Sequence, residues 1–441
     1  MAARVTFGSP AIFSTAKRRE EIAFPILLAT SLFAAACSGS GPNGGAVSDA
    51  SAAGKPTENS EPGVRIRDVA IAKISSELST TFNDGDYAFD LPMHDADGLG
   101  PLYTRVSCSA CHDAASRGPG MVQKMSVVED DRVTPSPDQS LLPWGHTVHP
   151  QVAGGGKTPI VPPTDPSVLV TSRLGPPILG RGYMEAIEDS EIERVEMEQA
   201  ARSDQIHGRI NHVTYESEMS ADAAFHTHVK GDAVIGRFGL KARIATLDDF
   251  TADAFQNDMG ITSPLRPNEI TNPDGLLDDD KPGIDVDLDS IQKRAMYVRL
   301  IAIPTRIDDA IGRKLFDQVQ CSACHVPTMH TRADYPIAQL ADIDAPVYTD
   351  MLLHQMGPAL ADGLPEDPSV DWEASSRQWR TMPLIGVSLN HTFLHDGRVT
   401  TVEDAILAHG GDGSEASDSL DQFNALSDDD RKHLIAFVEG L

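Results

Sequence analysis

Two five-residue stretches decide the fold of this chain: Cys108-Ser109-Ala110-Cys111-His112 and Cys321-Ser322-Ala323-Cys324-His325. They contain four of the five cysteines in the 441 residues, and the fifth is Cys37. No pair of cysteines remains for a structural disulfide, so the cysteines serve chemistry or processing. The repetition of one pentad predicts two similar units along the chain.

A Cys-x-x-Cys-His pentad predicts the attachment of a c-type haem. The two thiols can add to the two vinyl groups of one haem, and the imidazole that follows suits its iron. A zinc site built from two Cys-x-x-Cys pairs is the alternative, but such pairs usually lie close together in sequence. A dithiol redox motif leaves both histidines unexplained. The predicted attachment and ligand residues are Cys108, Cys111, His112, Cys321, Cys324 and His325.

The N-terminal residues predict export. A basic segment at residues 17–19 precedes an apolar stretch at residues 22–36, which is shorter than the ~20 residues that a membrane-spanning helix needs. The small residues before Cys37 are typical of a bacterial lipoprotein signal, which would make Cys37 the lipidated first residue. Ordinary cleavage that leaves Cys37 as a free thiol is the alternative. We expect the protein on the periplasmic side of a bacterial envelope, anchored to a membrane by lipid.

The charge balance excludes one class of partner. The chain carries 65 acidic and 36 basic residues, a formal net charge of −29. Such a surface repels nucleic acid phosphates, so no nucleic acid partner is expected. A solvated acidic surface is favoured over a docking face for a basic redox protein.

Periodic apolar residues predict helices around the second pentad and at the end of the first half. The apolar side chains of residues 308–319 have the spacing of one helix face. Residues 434–441 form another apolar stripe, after a capping-box pattern at Ser427 and Asp430. Residues 288–298 end the first half in the same way.

The predicted fold is mainly α, with two cytochrome c-like domains, the first enlarged by long irregular insertions. The insertions include a Pro- and Gly-rich segment, residues 135–177, whose strand-like runs at 160–161 and 168–170 are short. The predicted segments are a lipoprotein-type signal peptide (1–37), a flexible linker (38–63), an N-terminal haem c domain with insertions (64–304) and a C-terminal cytochrome c domain (305–441).

Further motifs follow in order along the chain, at residues 98–101, 173–177, 236–242, 258–262, 352–357, 379–384, 393–398 and 409–411. With the pentads, they resemble a family of bacterial di-haem c-type proteins described as peroxidases or predicted thiol oxidoreductases, related to di-haem cytochrome c peroxidases and MauG-type enzymes. The chain departs from that pattern around the first haem. Leu240 stands where the family usually has Trp, and residues 144–149 replace its usual Tyr-Gly-Gly-Gln-Leu-Gln.

The resemblance implies the sixth ligand of the second haem. His409 lies fourteen residues after His395, the offset of the ligand methionine in the cytochrome c peroxidases. Met356 and His354 are the alternatives, and His409 could also be a cap-like residue before two glycines. An iron with two strong ligands suits electron transfer, whereas an iron with one can bind peroxide.

The resemblance also implies catalytic groups. His395 would handle protons or hydrogen bonds near the haems, with a structural role as the alternative. Asp258 and Met259 occupy a place like the Glu-Met pair of the peroxidases, so Asp258 could be an acid/base and Met259 a packing residue or ligand. The alternative for both is a plain helix end before Pro264.

Weaker candidates remain around the first haem. Six histidines could serve it, although each alone is better interpreted as a surface residue: His146, His149, His207, His212, His226 and His228. The segment Asp95-Ala96-Asp97-Gly98 is similar to part of a calcium loop, but lacks the later ligands, so a turn is the better interpretation. Calcium is therefore conceivable but unsupported by sequence.

Together these observations predict an exported di-haem oxidoreductase that is peroxidase-like. Electrons from a periplasmic donor would enter at the C-terminal haem and pass to the N-terminal haem, which would bind hydrogen peroxide or another small oxidant opposite His112. One alternative is an electron-transfer cytochrome or haem-binding redox module without its own substrate. The other is a MauG-like oxidase of a protein or small organic substrate.

Overall fold

The computed structural model of the protein describes residues 69–112, 121–365 and 376–441. Cys37 and the predicted signal peptide and linker lie outside the described residues. The α-helices within these ranges are α1 (Ser76–Asp90), α2 (Arg181–Ala186), α3 (Asp189–Ala200), α4 (Leu247–Met259), α5 (Leu288–Leu300), α6 (Ala310–Gln318), α7 (Val402–Leu407), α8 (Ser417–Asn424) and α9 (Asp428–Glu439).

The described β-strands are short and pair two by two. They are β1 (Leu102–Tyr103), β2 (Met121–Val127), β3 (Gln151–Val152), β4 (Val168–Leu174), β5 (His212–Thr214), β6 (Ala233–Ile235), β7 (Met329–His330), β8 (Asp344–Ala345), β9 (Leu353–Gln355) and β10 (Gln378–Arg380). The antiparallel pairs are β1 with β3, β2 with β4, β5 with β6, β7 with β8 and β9 with β10. Helices hold more of the described residues than strands do, in agreement with the mainly α part of the prediction.

One strand is longer than its sequence suggests. The run at residues 168–170 continues to Leu174, because β4 pairs with β2 along its whole length, from Val127 opposite Val168 to Met121 opposite Leu174. The Pro- and Gly-rich insertion is thus less irregular than predicted. Cross-strand hydrogen bonds hold the polar second half of β4 in strand conformation, although it lacks an apolar pattern.

The helix that leads into the second pentad crosses the last helix at a glycine. A Cβ at Gly312 of α6 would overlap the carbonyl of His433 and lie 2.6 Å from Cβ of Phe437, both in α9. Ser427 caps α9, where its side chain accepts a hydrogen bond from the backbone N–H of Asp430. One turn beyond Gly312, the ring of Phe316 lies 5.4 Å from Phe437.

The same arrangement occurs before the first pentad. A Cβ at Gly85 of α1 would lie 2.5 Å from the carbonyl oxygen of Lys293 and 2.6 Å from Cβ of Tyr297, both in α5. Four residues after Gly85, Phe89 packs 5.1 Å from Tyr297 and 6.2 Å from His112. Each pentad is thus preceded by a helix that crosses its closing helix at a glycine and carries a phenylalanine toward the pentad.

The two helix pairs pack in different apolar clusters. The α6–α9 pair belongs to a cluster around Phe316 and Phe437. The α1–α5 pair belongs to the largest core, whose buried residues extend from Ile71 to Ile385, and the described residues from 69 onward belong to one compact unit. The predicted division into domains at residues 304 and 305 stays a prediction. None of the described helices is long and apolar enough to cross a membrane.

A buried ionic network lies inside this core. Arg299 at the end of α5 is fully buried and binds Glu185 of α2 at 2.6 Å and Asp248 of α4 at 2.9 Å. Tyr335 donates its hydroxyl to Glu185 at 2.8 Å, and the guanidinium of Arg299 lies 3.8 Å from the centre of the Phe225 ring. Three helices are thus joined by charges that have no access to water.

Candidate functional site

The first pentad opens on a cavity between α4 and α5. Cys108 to Ala110 form a short 3₁₀ turn, and Cys108, Cys111 and His112 line about 860 Å³ of empty space together with Phe255. Part of this space is open to solvent. Burial raises the pKa of the Cys111 thiol to about 12, so the thiol is uncharged.

His112 is held by the motif at residues 173–177. A Cβ at Gly175 would lie 3.2 Å from Cε1 of His112 and 3.2 Å from the carbonyl oxygen of Cys111, so glycine lets this backbone lie against the imidazole without a tight contact. Burial lowers the pKa of His112 to about 4, against the opposing effect of the backbone carbonyl of Pro176. The imidazole is therefore neutral at pH 7, the form that binds a metal.

Asp258 and Met259 both reach this cavity. They are the last residues of α4, whose end is closed by Gly260 in a left-handed conformation. Burial, with a smaller effect of Asp253, raises the pKa of Asp258 to about 6, although the ammonium of Lys124 opposes the shift. The segment is therefore a helix end, and it also places an ionisable carboxyl beside the first pentad.

The six weaker histidine candidates lie elsewhere. Among the described residues that line the cavity, His112 is the single histidine. Two of the six are not surface residues as predicted. His149 is buried, and its Nε2 lies 2.7 Å from the carbonyl oxygen of Asn257. The side chain of His226 is also buried, with its ring stacked on that of His228 and its Nε2 3.6 Å from Asp248.

The second pentad opens on a larger cavity. About 1520 Å³ of space, part of it open to solvent, is lined by Cys321, Cys324 and His325. The other lining residues are mostly apolar and include Phe316, Leu384 and Phe423. An apolar cavity with a few polar groups is typical of a site for a large cofactor.

His325 and His409 line this cavity from different elements. The ring centres of His325 and His409 are 6.4 Å apart. Nδ1 of His325 lies 3.2 Å from the carbonyl oxygen of Tyr348, and Nδ1 of His409 lies 2.7 Å from that of Ala405. Donation by both Nδ1 atoms leaves both Nε2 atoms with free lone pairs. Burial lowers the pKa of both rings, to about 4 for His325.

The alternative candidates for the sixth ligand of the second haem, His354 and Met356, have different surroundings from those of His409. His354 has both nitrogens engaged, with Nε2 2.8 Å from Asp350 and Nδ1 2.7 Å from Glu415. Burial alone would lower the pKa of His354, but Cys324 and Asp350 raise it well above its usual value, so the ring is charged and has no free lone pair. Met356 lines the cavity beyond the end of β9.

His395 lies in the same cavity, stacked on Trp379. Their ring centres are 3.9 Å apart and nearly parallel, and the ammonium of Lys241 lies 3.8 Å from the centre of the Trp379 ring. Burial lowers the pKa of His395 to about 4, and its carbonyl accepts a hydrogen bond from Leu174 N–H. Leu174 precedes the glycine that lies against His112, so this contact links the surroundings of the two pentads.

The two cavities are separated by a thin wall. Gly239 lines the first cavity, the next residue Leu240 lines the second, and Arg380 lines both. The side chain of Arg380 donates to the carbonyl of Gly239 at 2.9 Å. Groups bound in the two cavities would therefore be neighbours across one backbone segment.

Comparison with known proteins identifies the family. Residues 164–441 match the model of a family described as "di-haem oxidoreductase, putative peroxidase". This chain belongs to the di-haem oxidoreductase family. The match includes the second pentad, Gly175, Asp258 and His409, while the first pentad precedes it.

Solved structures give more distant similarities. A variant of the diheme peroxidase BthA from Burkholderia thailandensis is 16% identical, with a TM-score of 0.36 over 82% of this chain and 85% of its own. Hydrazine synthase from Kuenenia stuttgartiensis is 13% identical, with a TM-score of 0.34 over 90% of this chain and 100% of its own. No curated protein matches the chain.

Membership of a di-haem oxidoreductase family implies haem cofactors, and the described residues fit them. Each pentad brings two thiols and a neutral imidazole to the wall of an apolar cavity. Metal–imidazole bonds are about 2.0–2.1 Å long, so two rings on opposite sides of one metal have centres roughly 6 Å apart. The separation of His325 and His409 is close to that value.

Proposed function

We propose that this di-haem oxidoreductase is an exported peroxidase with two covalently attached c-type haems. Electrons from a periplasmic donor would enter at the C-terminal haem, and hydrogen peroxide would be reduced at the N-terminal haem. The observation that carries this proposal is the difference between the two cavities. In the second, the neutral rings of His325 and His409 have centres 6.4 Å apart, whereas His112 is the single described histidine that lines the first, beside the buried carboxyl of Asp258.

In the second cavity, His325 and His409 would both bind the iron. Their Nδ1 atoms are committed to backbone carbonyls, which fixes the tautomer and orients each Nε2. Two imidazole ligands leave no position for peroxide and suit an electron-transfer haem. Cys321 and Cys324 would form the thioether bonds.

In the first cavity, His112 would be the single protein ligand, and Cys108 and Cys111 would form the thioether bonds. When bound, haem supplies the iron at which peroxide is reduced. The reaction consumes one peroxide, two electrons and two protons; the O–O bond breaks and two waters form, while the donor is oxidised. Asp258 is the described carboxyl that could accept a proton from peroxide and return it to the leaving oxygen.

Two features support export as part of the proposal. The N-terminal segment has the pattern of a signal peptide that ends at Cys37, and thioether haem attachment takes place after export. Lipidation of Cys37 would hold the enzyme at the membrane, where its periplasmic donor would meet it.

Optical and EPR spectra of the purified protein, with a steady-state peroxide assay, test the proposal. We expect two c-type haems by pyridine haemochrome, one low-spin and one high-spin or able to become so on half-reduction, and peroxide-dependent oxidation of a donor. Two low-spin haems that ignore peroxide in every redox state would show an electron carrier instead. Oxidation of a protein or organic substrate without donor turnover would favour the MauG-like alternative.

Replacing His409 by Ala tests the second cavity. We expect the low-spin haem to become high-spin, because the substitution removes one of two strong ligands. His391→Ala removes an exposed histidine of the same region and should leave the spectrum unchanged. An unchanged low-spin signal in His409→Ala would transfer the ligand role to Met356.

A further inference from the structure

A group of acidic side chains lies apart from both cavities, in the loop before α5. Ligand oxygens of Glu269, Asp278 and Asp279 all lie within 4.8 Å of one another. Asp285 is the charged neighbour with the largest effect on Glu269. Most acidic groups in this chain are solvated, but Asp279 and Asp285 are only 9% and 7% exposed.

Four carboxylate oxygens in this group have no hydrogen-bond partner among the described residues. They are both oxygens of Glu269, Oδ2 of Asp279 and Oδ1 of Asp285. The opposite oxygens of the two aspartates are bound. Oδ1 of Asp279 accepts from the backbone N–H of Lys281 at 2.6 Å, and Oδ2 of Asp285 accepts from the backbone N–H and hydroxyl of Thr262 at 2.7 and 2.6 Å. These bonds hold the carboxylates in place while one oxygen of each stays free.

The ammonium of Lys281 does not neutralise this group of carboxylates. The ammonium of Lys281 donates to the backbone carbonyls of Asp97 and Asp285, at 3.3 and 2.6 Å. Burial and the charges of Asp285, Asp279 and Asp278 raise the pKa of Glu269 to about 8. Buried carboxylates without partners are costly, so native proteins pair them or bind a metal with them.

We propose that Glu269, Asp278 and Asp279 bind a calcium ion, with Asp285 as a buried charged neighbour. Hard carboxylate oxygens suit Ca²⁺, which takes 6–8 oxygen ligands and tolerates irregular geometry, with water completing the shell. Mg²⁺ demands a near-ideal octahedron and keeps most of its water, and soft metals prefer nitrogen and sulfur. The site is distinct from the Asp95–Asp97 segment, which forms a 3₁₀ turn in which Asp97 accepts from the His94 N–H.

The ion would stabilise the surroundings of the first cavity. Thr262 follows α4 by a few residues, and it binds Asp285 through backbone and side chain. Gly98, before the first pentad, lies directly against the Asp285 carboxyl, because a Cβ there would overlap it. Asp285, beside the proposed cation, therefore connects the loop before α5 with the segment that follows the helix carrying Asp258.

The test uses the haem-loaded full chain, freed of divalent ions with EDTA and then titrated with CaCl₂ by calorimetry. We expect one ion to bind per chain, and Tm in Ca²⁺ to exceed Tm in EDTA by roughly 2–4 °C. No binding heat together with identical Tm values would overturn the proposal. Tighter binding of MgCl₂ than of CaCl₂ would overturn the choice of calcium.

Charge-neutral variants separate binding from a structural role. Glu269→Gln and Asp279→Asn should each weaken calcium binding by at least about tenfold. In EDTA at pH 7, Glu269→Gln should leave Tm nearly unchanged, because a carboxyl with a pKa of about 8 is mostly uncharged there. Asp280→Asn is the matched control, since it removes an exposed carboxylate from the same loop. Equal losses of binding in Asp280→Asn and Glu269→Gln would show general charge attraction and contradict the site.

Discussion

Replacing Asp258 by Asn is expected to lower kcat/KM for hydrogen peroxide by about 10²–10⁴-fold, the usual contribution of a positioned acid/base group. Asn has nearly the same shape, but it cannot accept a proton. The carboxyl lines the cavity of the first pentad at the end of α4. Steady-state kinetics with a fixed electron donor measure the effect, and the haem spectrum should stay that of the wild type.

The pH dependence gives a second readout of the same group. Burial raises the pKa of Asp258 to about 6, and only the ionised form can take a proton from peroxide. Activity of the wild type should therefore rise as the pH increases through about 6. This rise should be absent in Asp258→Asn.

Two control variants test whether the expected loss of activity is specific to the carboxyl of Asp258. Asp289→Asn removes a carboxylate whose side chain is 62% exposed and should leave kcat/KM unchanged. Asp258→Glu keeps a carboxyl and should retain part of the activity. Full activity in Asp258→Asn would contradict the proton-handling role and leave the residue as a helix end.

Features with a local signature were predictable from the sequence. The pentads are short and specific, and the cap at Ser427 and the apolar stripes of α6, α5 and α9 depend on residues a few positions apart. Helix α1 also has helical spacing, since its buried residues Phe82, Gly85 and Phe89 lie three and four positions apart. The sequence analysis did not predict this helix, and the role of Gly85 could not be predicted because it depends on Tyr297 far along the chain.

The surroundings of the site were less predictable for the same reason. Composition favoured a solvated acidic surface, yet Asp279 and Asp285 are buried because loops distant in sequence cover them. His149 was interpreted as a surface residue, but it binds the carbonyl before Asp258. Sequence gives the kind of side chain, whereas burial and partners depend on contacts between distant segments.

The geometry also explains motifs that the sequence could only match to a family. Glycine suits position 175 because its backbone lies against His112, where a Cβ would make tight contacts. Gly239 and Leu240 face different cavities on either side of one backbone segment. Leu240 stands where the family usually has Trp, and Trp379 lines the same cavity, with its ring stacked on His395 and the ammonium of Lys241 3.8 Å from its centre.

Replacing Arg299 by Met is expected to lower the free energy of unfolding by about 3–5 kcal/mol, the usual cost of removing one partner from a buried ion pair. The substitution keeps much of the side-chain volume but leaves Glu185 and Asp248 uncompensated inside the core. Urea unfolding followed by circular dichroism measures the change. Arg194→Met, which breaks ion pairs of a 44% exposed side chain with Glu191 and Glu198, should cost less than about 1 kcal/mol.

The acid dependence of stability identifies the cause. Burial alone would raise the pKa of Asp248, but Arg299 outweighs it and lowers this pKa to about 2. A carboxylate with a lowered pKa stabilises the fold above its unfolded pKa of about 3.9, and this contribution is lost as pH falls through about 2. Wild-type stability should therefore fall between about pH 4 and pH 2 by an amount that Arg299→Met does not show.

Adding Glu185→Gln and Asp248→Asn to Arg299→Met should restore much of the lost stability, because no buried charge then lacks a partner. If the triple variant is as unstable as Arg299→Met, lost packing around Phe225 outweighs the charge.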